Sequence, residues 1–284
     1  MTAEQNSNKT IVVIGDVHHH SQHALEALQQ LELETPIDQI FSVGDFGLFL
    51  QPHDWEFLTG PSKYRQPEES PKIKRALSKW KWSTAMIAGN HEPFNRLRVF
   101  DPGYYSYKIN YTNAGIIEHS IAQLTVTGLS GIFKPTELEF MSELEARQLK
   151  ISKPTSWEEM VALVEQKKIS RSRLTYFKET EIETVKNLRT PDIMLLHDWP
   201  ITPEHVRFSY NRRPEKEIVE KAQPKLLCCG HHHTAAKFQV GSTTVFALNI
   251  LGELGKPHKI NKGWAMVVDW NGSQLSNARH WPAL

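Results

Sequence analysis

Five short apolar runs in this chain each stop at a cluster of glycine, aspartate, asparagine or histidine, and this repeat limits the fold more than any other feature. The runs are TIVVIGD (Thr10 to Asp16), DQIFSVGD (Asp38 to Asp45), STAMIAGNHE (Ser83 to Glu92), DIMLLHDWP (Asp192 to Pro200) and KLLCCGHHH (Lys225 to His233). An apolar run of this length bounded by turn residues reads as a buried strand. The amphipathic stretch SQHALEALQQLELE after the first run reads as a helix, which makes a β-loop-α unit. In open α/β sheets the loops at the carboxyl ends of strands gather along one edge, so the polar clusters are expected to converge. Further on, AAKFQV and TTVFALN flank Gly241-Ser242, and GWAMVVDWNGSQL carries Asn271-Gly272; both read as hairpin turns. The expectation is an α/β sandwich with antiparallel additions.

Between Lys134 and Thr190 the chain is charged and mostly helical in pattern. Ser156-Trp157-Glu158-Glu159 fits a capping box that opens the helix WEEMVALVEQKK, which is expected to close on its two lysines as the helix dipole prefers. The expectation is a single domain over residues 1–284 with a helical insertion at about 134–190. Residues Pro61 to Trp82 read as a proline-bearing loop followed by a basic helix.

Composition excludes a disordered or fibrous chain: 39% of the 284 residues are hydrophobic and 23% charged. A net charge of +1 gives no global preference for nucleic acid or for a membrane. The first ten residues are polar, with no secretory apolar stretch, and no apolar run approaches the roughly 20 residues that span a bilayer. The expectation is a cytoplasmic protein with no membrane partner. The two cysteines, Cys228 and Cys229, are adjacent; in a strand they face opposite sides, which disfavours a disulfide or a shared metal and assigns them to packing.

The polar clusters are rich in metal-ligand chemistry. Eight of the fourteen histidines fall in or beside them: His18, His19, His20, His91, His197, His231, His232 and His233. Asp16 and His18 are two positions apart, so in a near-extended chain they point the same way, and His231 and His233 repeat that spacing. His232, His19 and His20 are then expected to face elsewhere. Singly, Asp16, Asp45 or Asn90 would pass as helix caps or turn formers; together they read as a site. Glu92 reads as a group that orients its loop, and Asp198 either orients a ligand histidine or is a surface carboxylate.

GDVH, GD, GNHE, an isolated strand-end histidine and GHHH, in that order over residues 11–233, resemble the calcineurin-like metallophosphoesterases, whose pattern is Asp-x-His, Gly-Asp, Gly-Asn-His-Glu, His and Gly-His-x-His. The resemblance implies a sandwich of two β-sheets flanked by helices and a binuclear metal centre. Asp16, His18, Asp45 and His233 would hold one divalent ion, and Asp45, Asn90, His197 and His231 the other, with Asp45 shared. The mixed oxygen and nitrogen donors suit Mn²⁺, Fe²⁺ or Zn²⁺ better than Mg²⁺ or Ca²⁺. A metal-bridging hydroxide would be the nucleophile. His91 would stabilise developing charge or protonate the leaving alkoxide.

Within the family, GLSGIFK (Gly128 to Lys134), GDF, GNHE and HDWP (His197 to Pro200) together resemble the catalytic region of the RNA lariat debranching enzymes, which cleave 2′,5′-phosphodiester bonds. The implied activity is a phosphodiesterase with RNA or 2′,5′-linked nucleotides as substrate; the alternatives are a phosphomonoesterase and a non-catalytic metal-binding scaffold of the same fold. The chain departs from debranching enzymes in having Asp16 where they carry cysteine, in His19 where glycine is usual, and in stopping shortly after the core, without their extra C-terminal region. The arginine that Ser/Thr phosphatases place soon after Gly-Asp is absent from GDFGLFL, which counts against a protein phosphatase. Lys63, Arg65, Lys72, Lys74, Arg75, Lys79 and Lys81, and separately Arg212 and Arg213, could cradle a polyanion or simply solvate a helix face. Tyr104, Tyr105 and Tyr107 could stack on a base or pack in the core.

Overall fold

The computed structural model describes residues 8–99, 107–188, 190–201, 213–252 and 259–284. The first apolar run forms β1 (Lys9–Ile14), and the side chains Ile11, Val12, Val13 and Ile14 are all fully buried. Both faces of the strand are therefore covered, as β-branched runs in parallel sheets require. Beside it lie β2 (Gln39–Ser42), β3 (Thr84–Met86) and β4 (Ile109–Tyr111), all parallel. On the other flank, β11 (Ala265–Trp270) pairs antiparallel with β1, and β12 (Leu275–Trp281) with β11. A second sheet has the order β5 (Ala114–Ile116), β6 (Val126–Leu129), β7 (Ile193–Leu196), β8 (Leu226–Cys229), β10 (Thr243–Ala247) and β9 (Ala236–Val240). Its four central strands are parallel and its two edges antiparallel.

The alternation of side chains sorts the core into three layers. Ile11, Val13, Phe41 and Ala85 of the first sheet meet Ile193, Leu195, Leu226 and Cys228 of the second in the inter-sheet core. Val12, Ile14 and Ile40 turn outward to α1 (Ser21–Glu34) and α2 (Ser70–Ser78). Met194, Leu196, Leu227 and Cys229 turn outward to α6 (Glu179–Lys186) and α7 (Pro214–Ala222). Cys228 and Cys229 thus lie in different layers, both buried and unbonded to each other. The arrangement is two mixed β-sheets with flanking helices, the fold expected from the sequence.

Several details differ from the sequence expectation. Strands β4, β5 and β6 carry too few apolar residues to stand out; β6 even holds Gly128, where an added Cβ would lie 2.5 Å from Ile87 Cγ2 of the facing sheet, so only glycine allows that approach. The segment from 134 to 190 is the β6–β7 crossover. It contains α4 (Glu143–Gln148), α5 (Trp157–Glu165) and α6, separated by turns. Ser156 Oγ accepts from the Glu159 amide as a cap should, but the Glu159 carboxylate reaches the Thr155 amide (2.6 Å) rather than closing the box on Ser156. Helix α5 ends at Glu165, before the two lysines, where Lys167 takes a left-handed φ of 56°. The last turn, at Asn271, is also wider than two residues: Asn271 Oδ1 accepts from the amides of Ser273 and Gln274.

Candidate metal centre

The carboxyl ends of β1, β2 and β3 in one sheet and of β7 and β8 in the other open onto the same edge. Direct hydrogen bonds tie the two sheets together there. His197 Nδ1 lies 2.8 Å from the Val43 carbonyl, and the His231 amide donates to the Asp16 carboxylate at 3.2–3.3 Å. Asp16, Asp45 and His197 are buried to within 1% of their surface. Their donor atoms all lie within 4.8 Å of one another, as do those of Asp16, His18 and His233.

Asp45 sits at the middle of this arrangement. Its Oδ2 is 3.4 Å from His197 Nε2 and 3.7 Å from His18 Nε2, and its Oδ1 accepts the His91 amide at 2.7 Å. Asn90 Oδ1 stands 3.3 Å from the same His197 Nε2. His233 Nε2 is 3.0 Å from Asp16 Oδ2 and 3.0 Å from His18 Nε2, and the His231 ring is 5.1 Å from that of His197. All seven side chains that the sequence pattern offered as ligands therefore lie around one space, with His91 beside them.

The backbone brings them there in an unexpected way. His18, Asp45, His231 and His233 are not in extended chain; they adopt left-handed φ values of 46°, 50°, 66° and 51°. Asp16 and His18 turn toward one another across a tight turn, in which the His20 amide donates to the Val17 carbonyl. Such conformations cost a non-glycine residue of order 1–3 kcal/mol each and persist only where the surroundings impose them. Here the amides of Val17 and His18 both donate to the Asp45 carbonyl, locking the first loop onto the second. Glu92, fully buried, accepts from the amides of Phe46, Gly47 and Leu48 and so holds the second loop from below. His232 turns away to Asp198 (2.9 Å), and Trp199 donates its indole N–H to the Gly230 carbonyl, joining the β7 and β8 loops. Asp198 is thus no surface carboxylate; with His231 and His232 it forms a third group of close donors.

Electrostatics favour a cation. Burial pushes the His18 and His231 imidazoles down to about 4, so both are neutral with a lone pair to donate. Burial would also depress His197, but the adjacent Asp45 carboxylate prevails and raises it to about 10. Burial works against ionised Asp45, yet His197 and His91 hold its carboxyl well below the usual range. An ionised carboxylate in the protein interior demands a positive partner, and a divalent ion fills that role better than a proton. The steric frame agrees: a Cβ on Gly89 would come within 2.1 Å of Asp45 Oδ1, and one on Gly230 within 2.3 Å of Asp16 Oδ1. The residues present fit a metal centre.

Beside the donors lies a cavity of about 150 Å³ lined by His18, His19, His91 and His233 on one side and by Phe49, Leu58, Tyr64 and Ile250 on the other. Sequence reasoning missed the apolar wall and His19, because nothing in their spacing points to a ligand. Thr59 was also missed; its hydroxyl donates to the Asn90 carbonyl. Tyr107 packs against the core of the first sheet, while Tyr104, Tyr105 and Arg212 lie outside the described residues. In the basic segment, Lys72 pairs with Glu69 and Lys81 with Glu32, both at the surface.

A buried constellation of carboxylate and imidazole donors at the strand ends of a double-sheet sandwich is the mark of a metal-dependent phosphoesterase. The chain belongs to the calcineurin-like phosphoesterase family, whose profile matches residues 9–235. It is 28% identical over 216 residues to lariat debranching enzyme A of Xenopus laevis, covering 74% of this chain and 36% of the relative. It is 24% identical over 196 residues to the lariat debranching enzyme of Arabidopsis thaliana, covering 67% and 42%. The chain thus spans well under half the length of the curated relatives it matches. One solved crystal structure superposes with a TM-score of 0.55 at 14% identity, over 97% of this chain and all of that one. Among the described residues no helix is long and apolar enough to cross a membrane.

Proposed function

We propose that this protein is a two-metal phosphodiesterase acting on RNA or 2′,5′-linked nucleotides. Asp16, His18, Asp45 and His233 would hold one divalent ion and Asp45, Asn90, His197 and His231 the other, with Mn²⁺, Fe²⁺ or Zn²⁺ as the candidates for this donor set. When bound, such a pair supplies Lewis-acid stabilisation of the phosphoryl oxygens and acidifies water for attack near neutral pH. The observation that carries the reading is the central position of Asp45, the carboxylate within reach of donors from both sheets.

His91 is the catalytic residue of this proposal. Its amide is fixed to Asp45, and its ring lines the cavity 5.2 Å from the His18 ring with no hydrogen bond to any described residue. Both ring nitrogens are available to a substrate, so the imidazole can hand a proton to the departing alkoxide. The free His91 and the full donor set speak against a non-catalytic scaffold. The wall of Phe49, Leu58, Tyr64 and Ile250 favours a diester over a monoester: an apolar surface accommodates the second substituent of a diester, and Tyr64 can stack on a base. The relatives' names support RNA as the substrate class.

We also read the chain as one domain, since α5 packs with the first sheet's outer layer and α6 with the second's, and as a cytoplasmic protein. The function is tested by hydrolysis of bis-p-nitrophenyl phosphate and of p-nitrophenyl phosphate with each metal, followed by 2′,5′- and 3′,5′-linked dinucleotides. Preference for the diester and for the 2′,5′ linkage is expected; a monoester preference would overturn the diesterase, and inactivity with metals bound would favour the scaffold.

A further inference from the structure

A groove of about 890 Å³ leaves the site between residues 53–65 on one bank and 164–172 of the β6–β7 segment on the other. Its inner end is formed by Thr59 and Gly60. Both touch the centre: the Thr59 hydroxyl donates to the Asn90 carbonyl, and a Cβ on Gly60 would lie 3.6 Å from His91 Cε1. Two guanidinium groups line this groove. Arg171 reaches across it, donating to the carbonyls of Glu56 (3.2 Å) and Gly60 (3.4 Å). Burial and the nearby charge of Arg65 lower its pKa. Arg65 is half-buried, with its Nε enclosed and without a hydrogen-bond partner among the described residues.

Among the described residues neither arginine forms an ion pair with a carboxylate. The carboxylates on the rim are Glu56, 3.6 Å from His53, and the exposed Glu165. Lys167 adds a further exposed cation to the same bank. Two unpaired guanidinium groups held near one another repel, and an anion between them removes the repulsion. Their planar donor forks match the oxygens of a phosphate. On the other side of the turn that bears Arg65, Tyr64 faces the apolar cavity at the centre, so a base and its neighbouring phosphate would find adjacent surfaces of complementary chemistry.

We propose that Arg65 and Arg171 form a subsite for a second phosphate of a single-stranded oligonucleotide, one removed from the phosphate cleaved at the Asp45–His91 centre; the proposal rests on the phosphodiesterase reading above. It gives the β6–β7 segment a role, since Arg171 comes from it and closes the groove over the exit from the site.

The test is the salt dependence of binding, read by fluorescence anisotropy with a labelled phosphorothioate hexanucleotide that resists cleavage, on the protein as purified. Wild type should bind with an affinity that falls steeply with salt. Arg65→Ala and Arg171→Ala should each flatten the slope of log affinity against log salt by about 0.7, the contribution of one phosphate contact on a single strand. The control Lys216→Ala, an exposed lysine on α7 over the second sheet, should not change it. Arg65 donates no hydrogen bond among the described residues, so Arg65→Ala should melt with wild type. If Arg171→Ala fails to fold, Arg65→Glu replaces it and should weaken binding about tenfold or more. Unchanged slopes in the arginine variants would overturn the subsite even if the enzyme cleaves diesters. Flattened slopes in a protein that cleaves no phosphate ester would keep the strand-binding subsite and overturn the catalytic reading instead.

Discussion

His18, Asp45, His231 and His233 stand on strand-end loops whose left-handed backbones are locked by main-chain hydrogen bonds, whereas Trp157 and Arg171 come from a crossover of ordinary helices and turns held by side chains. The strand-end loops form the floor of the site. They are fixed by the sheets beneath and by Glu92, and carry their strain as part of their geometry. The crossover forms the rim. It is anchored by the apolar packing of α5 and α6 and by Arg98, which lies 4.0 Å from the centroid of the Trp157 ring and 3.5 Å from Glu181, while Trp157 donates its indole N–H to the same Glu181. The difference teaches that chemistry and substrate reach are built on separable supports: a change in the floor should abolish turnover, and a change in the rim should cost stability or affinity.

The strongest way to break this comparison is Asp45→Asn. It removes the charge on which the donors converge, and with it several kcal/mol of electrostatic stabilisation. Hydrolysis of bis-p-nitrophenyl phosphate should fall by about 10³-fold or more, together with metal content. Retention of both would show that the floor does not depend on Asp45. Next in size, His91→Ala should keep its metal, since only the His91 amide touches Asp45, yet lose about 10² to 10⁴ in kcat. Parallel loss of metal and turnover would instead make His91 part of the support.

A rim change should behave differently. Trp157→Ala removes the ring against Arg98 and the indole donor to Glu181, which should cost about 2–3 kcal/mol in denaturant unfolding. Turnover of the small diester should stay within about twofold. A large drop in kcat would mean that rim and floor are coupled.

Protons sharpen the comparison within the floor. His197 in metal-stripped protein has its pKa raised from 6.5 to about 10, so it stabilises the fold fully below 6.5 and loses that contribution as pH rises through 10. Glu92, raised by burial and by Asp45 from 4.5 to about 8, also makes the fold less stable as pH climbs through that interval. His18 and His231, pushed down to about 4, act in the opposite sense only below 6.5. Melting temperature of the stripped protein should therefore fall from pH 7 to pH 8. Glu92→Gln and His197→Gln should each flatten that fall, while saturating Mn²⁺ should remove the His197 contribution. A melting temperature that rises over this range would contradict the assignment of both groups.

The same contrast explains what could be read from the sequence. Each floor residue follows its own apolar strand, so its place at a sheet's carboxyl edge is encoded locally, and the parallel topology brings the edges together. The left-handed backbone of His18 or His233 was not legible, because it is imposed by contacts to Asp45 and the neighbouring loops rather than by residue type. Arg171 was invisible for a similar reason: it meets Gly60 across a sequence separation of 111, and no spacing rule links the two. Strands β4 to β6 escaped because they are short: β4 and β5 are three-residue edge strands, and in β6 the close inter-sheet approach selects Gly128 in place of the apolar run that signals a strand.

The smallest effect expected is at the joint between two floor loops. Trp199 is 5% exposed, and its indole N–H is the donor to Gly230, whose own amide donates to the His197 carbonyl. Trp199→Phe keeps most of the packing against His232 and Phe238 but leaves the Gly230 carbonyl without that partner, which should cost about 1 kcal/mol. Since His231 follows Gly230 directly, a loosened loop should weaken metal affinity roughly tenfold, the effect of losing a support behind a ligand. At saturating metal kcat should return to the wild-type value. A kcat deficit that persists at saturation would show that Trp199 shapes the reacting geometry itself, and the division between support and chemistry would have to be redrawn inside the floor.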